Sequence, residues 1–224
     1  MKYENTVCGR FIDRPNRFIA NVELNGKIEV CHVKNTGRCR ELLVNGAEVY
    51  LERSGNMSRK TKYDLIAVRK GEMLVNMDSQ APNKVAAEHL KDKLEGLVSL
   101  RSEVKYGASR FDFYAETERG GMFIEAKGVT LERDGAAMFP DAPTQRGIKH
   151  INELIRCMSD GWGAMMLFIV QMENMRYFTP NAETNPEFAA ALKRANDAGV
   201  IIKAVQCRVT PNTLTAAGEI PIKL

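Results

Sequence analysis

The first eighty residues alternate apolar and polar positions over short runs, the period-two signature of strands with one buried face. Residues 8–12, 18–24, 27–33, 47–52, 63–68 and 73–76 read as strands, with Asn25-Gly26 as the hairpin turn between the second and third. Helical spacing there is confined to one turn at 40–43. So many short strands in so small a module predict a compact barrel. The OB fold is the commonest such barrel that binds nucleic acid.

From Asn83 the period changes. Asn83 is placed to cap a helix running to about Leu94, with Val85, Leu90 and Leu94 as its apolar stripe. A strand begins at 104–106. Asp141 and Pro143 open a second helix whose core side is Ile148, Ile151, Leu154, Ile155 and Met158, and whose polar stripe is Gln145, Lys149, Asn152 and Arg156. Residues 164–170 are continuously apolar, as expected of a strand buried on both faces. Thr184 or Asn185 with Pro186 starts a last helix that stops at Gly199, and 200–207 returns as a strand. The expected architecture is α+β or α/β: an OB-like barrel over residues 1–80, then a mixed sheet flanked by helices over 81–224.

The chemistry gathers in one hairpin of that sheet. Arg110-Phe111-Asp112-Phe113-Tyr114 leads through Glu118-Arg119-Gly120-Gly121 into Met122-Phe123-Ile124-Glu125-Ala126-Lys127. Alternation sends Phe111 and Phe113 one way and Arg110, Asp112 and Tyr114 the other; Met122, Ile124 and Ala126 take the buried face, which leaves Glu125 and Lys127 side by side. A two-residue loop at Arg119-Gly120 or Gly120-Gly121 sets Asp112 opposite Lys127 or Val129, and either register keeps it on the face of Glu125 and Lys127. Two carboxylates this close repel unless a cation lies between them, and such oxygen donors suit Mg²⁺. A bound Mg²⁺ activates water beside a phosphate while a lysine stabilises developing charge, so the pattern points to phosphodiester hydrolysis. The bland alternative is the solvated face of an amphipathic hairpin.

Composition narrows the field. At 224 residues and 44% hydrophobic content the chain can bury a core as one large or two small domains. Its start lacks the apolar stretch of a signal peptide, and its longest apolar run is far too short to span a bilayer, so a cytoplasmic location is expected. Five cysteines without a C-x-x-C pair suggest reduced thiols, and Cys31, His32 and Cys39 lack a fourth ligand at zinc spacing. The net charge of +4 lies wholly in the first eighty residues, where 14 basic residues face 10 acidic ones. Within 53–70 six basic residues meet Asp64 alone, a patch suited to a phosphate backbone or simply a solvated loop. Neither G-x-G-x-x-G, nor a P-loop, nor a G-x-S-x-G elbow occurs, which removes the standard nucleotide and hydrolase signatures.

Several blocks together carry a resemblance. Arg14-Pro15-Asn16-Arg17-Phe18, Asn35-Thr36-Gly37-Arg38, Arg59-Lys60-Thr61-Lys62-Tyr63-Asp64-Leu65, Ser102-Glu103-Val104-Lys105-Tyr106-Gly107, Phe139-Pro140-Asp141-Ala142 and Arg146-Gly147-Ile148-Lys149-His150 resemble the sugar fermentation stimulation protein A family from end to end. The resemblance implies an N-terminal OB-like domain, a C-terminal PD-(D/E)xK nuclease-like domain of αβββαβ order, DNA binding of little sequence preference, and a link to regulation of sugar use, notably maltose genes. It places the nuclease-type residues on Asp112, Glu125 and Lys127 and the helical glutamine on Gln145, with Mg²⁺ or Mn²⁺ held by Asp112 and Glu125. Phe111 stands where that motif usually has proline. The expected partner is DNA, single- or double-stranded, contacted by Arg14, Arg17, Asn35, Arg38, Arg40, Lys60, Lys62 and Lys149; a homodimer stays open, and a non-catalytic DNA-binding regulator is the alternative to a nuclease. Glu88, Glu103 and His150 are further candidates of undecided role.

Overall fold

A computed structural model describes every residue except 36 and 57. The chain begins with β1 (Thr6–Asn16), β2 (Ile19–Leu24), β3 (Lys27–Val33), β4 (Glu48–Arg53), β5 (Tyr63–Lys70) and β6 (Met73–Asn76). Antiparallel pairing runs β3-β2-β1-β4-β5-β6, and a short parallel contact of His32 with Asp64 and Val33 with Leu65 joins β3 to β5. That contact closes a five-stranded OB-like barrel. β1 can serve two neighbours because register shifts after Phe11 and Asp13 bend it around the barrel. Inside lie Val22, Cys31, Val49, Leu51 and Val68, all inaccessible to solvent.

The rest is α1 (Ala81–Lys93), β7 (Leu97–Tyr106), β8 (Ser109–Thr117), β9 (Gly120–Val129), β10 (Leu131–Arg133), β11 (Ala136–Phe139), α2 (Gln145–Ser159), β12 (Gly163–Val170), β13 (Tyr177–Pro180), α3 (Pro186–Asp197), β14 (Ile201–Thr210) and β15 (Thr213–Glu219). A six-stranded mixed sheet has the order β15-β14-β12-β9-β8-β7, with β12 parallel to both neighbours, and β10, β11 and β13 form a smaller sheet beside it. Ala81, Val85, Ala86 and Leu90 of α1 cover one face of the large sheet. Residues of α2 and α3 cover the other, in a cluster continuous with the barrel interior. β12 is apolar along its length because both its faces are covered. No helix among the described residues is long and apolar enough to cross a membrane.

Several expectations are corrected. The one turn at 40–43 is present, with Leu42 and Leu43 donating to the Cys39 carbonyl, but other element starts differ. α1 starts two residues before Asn83, with Pro82 in its first turn, so Asn83 does not cap it. α2 is capped by Thr144, whose hydroxyl accepts from the Gly147 N–H, rather than opened by Asp141 and Pro143. β7 begins at Leu97, and β15 follows β14 as a further strand. The basic run 53–70 is also less free than its composition implies, since Arg59, Arg69 and Lys70 meet Asp64, Glu48 and Glu132 at 2.6–2.7 Å.

Candidate functional site

The β8–β9 ladder runs from Thr117–Gly120 to Phe113–Ile124, which makes Glu118-Arg119 the loop, a residue or two earlier than expected. Strict alternation fails just beyond. Phe113 packs on the α1 side with Ile124, whereas Phe111 lies in the other core cluster, 5.6 Å from Phe123 and 6.4 Å from His150 between ring centres. Asp112 sits at this switch. Its Oδ2 accepts from the Ala126 N–H at 2.9 Å and its Oδ1 from the Asn83 side-chain amide at 2.8 Å.

Asp112, Glu125 and Lys127 nevertheless line one cleft of about 360 Å³, walled by Ser79, Pro82 and Asn83 on one side and by Phe139, Thr144, Arg146 and Gly147 on the other. Glu125 is only 2% exposed. Its Oε1 accepts from Lys127 Nζ and is hydrogen-bonded to His150 Nδ1, while its Oε2 is buried without a partner. Burial raises the Asp112 pKa, and the nearby Glu125 charge adds to the rise. Burial would raise Glu125 too, but the hydrogen bond with His150 and the Lys127 charge outweigh it and hold that carboxyl below its ordinary value. The pair is therefore electrostatically unequal: Glu125 is kept as the anion and Asp112 is pressed toward protonation.

Other candidates fall elsewhere. Gln145 is on the first turn of α2 but donates to Glu187 on α3 instead of lining the cleft. Lys149 reaches the Ala108 carbonyl. Glu103 pairs with Arg110, and Glu88 with the Met1 amine. Arg14 donates to the carbonyls of Arg17, Asn35, Gly37 and Arg38, so it fastens a loop and has little left for a ligand. Asn35 closes that loop by accepting from the Gly37 N–H; Thr36, between them, lies outside the described residues. Arg17, Arg38 and Arg40 line a second pocket of about 280 Å³ with Arg14, Asn16, Gly37 and Leu43. Lys60 and Lys62 are exposed on the β4–β5 connection. Asn83, Arg146 and Ser79 were not expected at the cleft; their nearness to Asp112 arises from tertiary packing, although Arg146 directly follows the anticipated glutamine.

Comparison with known proteins agrees with this architecture. Residues 12–77 match the family described as the SfsA N-terminal OB domain, and residues 80–213 match the sugar fermentation stimulation protein RE domain. Sugar fermentation stimulation protein homologues from Desulfitobacterium hafniense (strain Y51) and Clostridium beijerinckii are 52% and 49% identical, over 225 and 226 residues, with all of this chain and 99% and 100% of theirs covered. The structure of Pyrococcus furiosus SfsA in complex with Ca²⁺ is similar at 30% identity and a TM-score of 0.89, covering 100% of this chain and 98% of that one.

Proposed function

The chain belongs to the sugar fermentation stimulation protein family, and from that premise we propose that it binds DNA with little sequence preference and hydrolyses its phosphodiester bonds with a divalent cation. The observation that carries the reading is the buried, unpartnered Oε2 of Glu125 in a cleft shared with Asp112 and Lys127. A buried carboxylate oxygen without a donor is costly, and a hard cation is the ligand such an oxygen suits. Asp112, destabilised as an anion by burial and by its neighbour, gains from the same cation. Mg²⁺ or Mn²⁺ fits this all-oxygen pair, and the Ca²⁺ complex of the Pyrococcus furiosus relative is in keeping with it. When bound, the cation would lower the pKa of a water and neutralise phosphate charge.

The protein's own groups do the rest. His150 and Lys127 fix the rotamer of Glu125, Asn83 and the Ala126 N–H fix Asp112, and Arg146 presents positive charge at the cleft wall. Lys127, whose ammonium lies beside the carboxylates, is placed to orient water or to meet charge developing on a phosphate oxygen. On this reading the helix-flanked sheet is a PD-(D/E)xK-type core in which His150 engages the acid from α2, where Gln145 was expected.

The test is cleavage of labelled single- and double-stranded DNA in Mg²⁺ or Mn²⁺, with Asp112→Asn and Glu125→Gln as controls. Wild-type cleavage at least a hundredfold above both variants is expected; activity no greater than theirs ends the hydrolase reading. One observation favours the non-catalytic alternative. Lys127 is engaged by Glu125, and Gln145 by Glu187, so two residues of the expected set are occupied within the protein. A regulator of that kind predicts salt-dependent DNA binding that neither metal nor Glu125→Gln alters.

A further inference from the structure

The arginine pocket on the barrel and the carboxylate cleft are two separate hollows of the surface. Between them lies a smaller recess of about 130 Å³, lined by Asn35 and Asp141 and sharing Ser79, Pro82, Gly128 and Phe139 with the cleft. At its barrel end it meets Gly37, a wall of the arginine pocket, where a Cβ would stand 2.6 Å from Asp141 Oδ2. The loop fastened by Arg14 thus meets the segment that enters α2 at the place where the recess and the arginine pocket come closest.

We propose that a single strand of DNA, in preference to duplex, runs from the cleft past this recess to the arginine pocket, with Arg17, Arg38 and Arg40 gripping backbone phosphates and Phe18 stacking a base several nucleotides from the bond held in the cleft. The inference rests on the reading of the cleft as a DNA site. Three observations carry it. Glu125 is 2% exposed at the bottom of a recess, which a flexible strand enters with one phosphate at less cost than a stiff double helix that must be deformed to do so. The three arginines are exposed and, unlike Arg59, Arg69 and Lys70, form no ion pair among the described residues. Phe18, an aromatic residue 45% exposed on the β1–β2 turn, has the Arg17 guanidinium 4.8 Å from its ring centre. An exposed ring next to cationic side chains is an arrangement by which single strands are held without regard to sequence.

Binding is measured in EDTA, so that it reports on the strand and not on cleavage, by fluorescence anisotropy of a 20-nucleotide DNA and of its blunt duplex. The wild type is expected to bind the single strand at least tenfold more tightly. In the Arg17→Ala/Arg38→Ala/Arg40→Ala variant that affinity falls tenfold or more, and the slope of log K against log salt shrinks by about 2, the value for three phosphates on a single strand. Phe18→Ala separately removes the quenching of 2-aminopurine placed in the oligonucleotide. Tighter binding of duplex, or a triple variant that binds the single strand as the wild type does while its melting temperature is unchanged, overturns the proposal. Loss of cleavage alone leaves these outcomes untouched and counts only against the hydrolase reading.

Discussion

His150 Nδ1 and Lys127 Nζ converge on one oxygen of Glu125, Oε1, and leave the other buried and unpartnered. His150 is itself 6% exposed, so its side chain is held among α2, β8 and β9 with little freedom to turn away. Replacing it by leucine strips a hydrogen bond from a buried charge, an effect of about 2–4 kcal/mol. His150→Leu is expected to lower stability by that amount in urea unfolding, while His150→Asn, which keeps a donor near the Nδ1 position, loses less than half as much. Calorimetric titration with Ca²⁺ or Mn²⁺ should show weaker binding by the leucine variant and partial recovery by the asparagine. Equal stability and equal cation affinity in all three proteins would show that His150 does not position Glu125.

Asp64 sets the acid stability of the barrel. It is 4% exposed where β3 meets β5, and burial alone would raise its pKa. Arg59, Lys34 and His32 more than offset that and hold it at about 2, against an ordinary 3.8. A carboxyl depressed in the folded state contributes stability above its unfolded pKa and loses it as pH falls toward the folded value. About 2 kcal/mol should therefore disappear between roughly pH 4 and pH 2. Asp64→Asn is expected to be less stable at neutral pH and to show a flatter acid limb in unfolding measured across that window; an unchanged limb would show that other carboxylates govern it.

Arg14, at the wall of the arginine pocket, spends its guanidinium on the loop that shapes the pocket. Its guanidinium satisfies four carbonyls of the chain around 17 and 35–38, and no lysine can do so with one ammonium. Arg14→Lys should cost about 1–3 kcal/mol and speed proteolysis within the loop. Single-stranded DNA affinity is expected to drop with an unchanged salt slope, since no phosphate contact is removed; a reduced slope would make Arg14 a direct ligand.

Gly128 lines both the cleft and the smaller recess beside it. A Cβ there would lie 2.5 Å from Gln171 Oε1 and 2.6 Å from Pro82 Cγ. Gly128→Ala must push these apart, with an overpacking penalty of about 1–3 kcal/mol. Thermal unfolding should show the loss, and cleavage should fall even though no charged group has changed. A variant as stable and as active as the wild type would show that α1 and the β12 end give way freely.

What the sequence disclosed follows from where structure is local. Alternation located β2 and β3, and it also found β5 and the hairpin of β8 and β9, although those strands are buried on both faces over much of their length. β7 was half missed: it is an edge strand, exposed at Ser99, Arg101, Ser102 and Glu103, so its pattern resembles a loop. The convergence of Asp112 with Glu125 and Lys127 was legible because moving a two-residue loop by one position shifts the pairing by two, and side-chain parity survives that step. The reversal between Phe111 and Phe113 was not, since nothing local marks where a strand turns over. Asn83 and Arg146 reach the cleft, and His150, already a candidate of undecided role, reaches Glu125, through the packing of α1 and α2, and the fourfold grip of Arg14 spans more than twenty residues. Contacts of that range are set by the assembled fold.

The Asp112 carboxylate occupies the place of a missing rung, taking the Ala126 amide that a neighbouring backbone carbonyl would otherwise claim. The candidate site and the strand alignment are thereby fastened to the same bond. A slip of β8 against β9 by one residue would strand the amide and carry the acid out of reach of the cleft in a single step. Drift in this hairpin is thus confined to changes that preserve its phase, and a chain that had abandoned the chemistry would be free to lose that alignment.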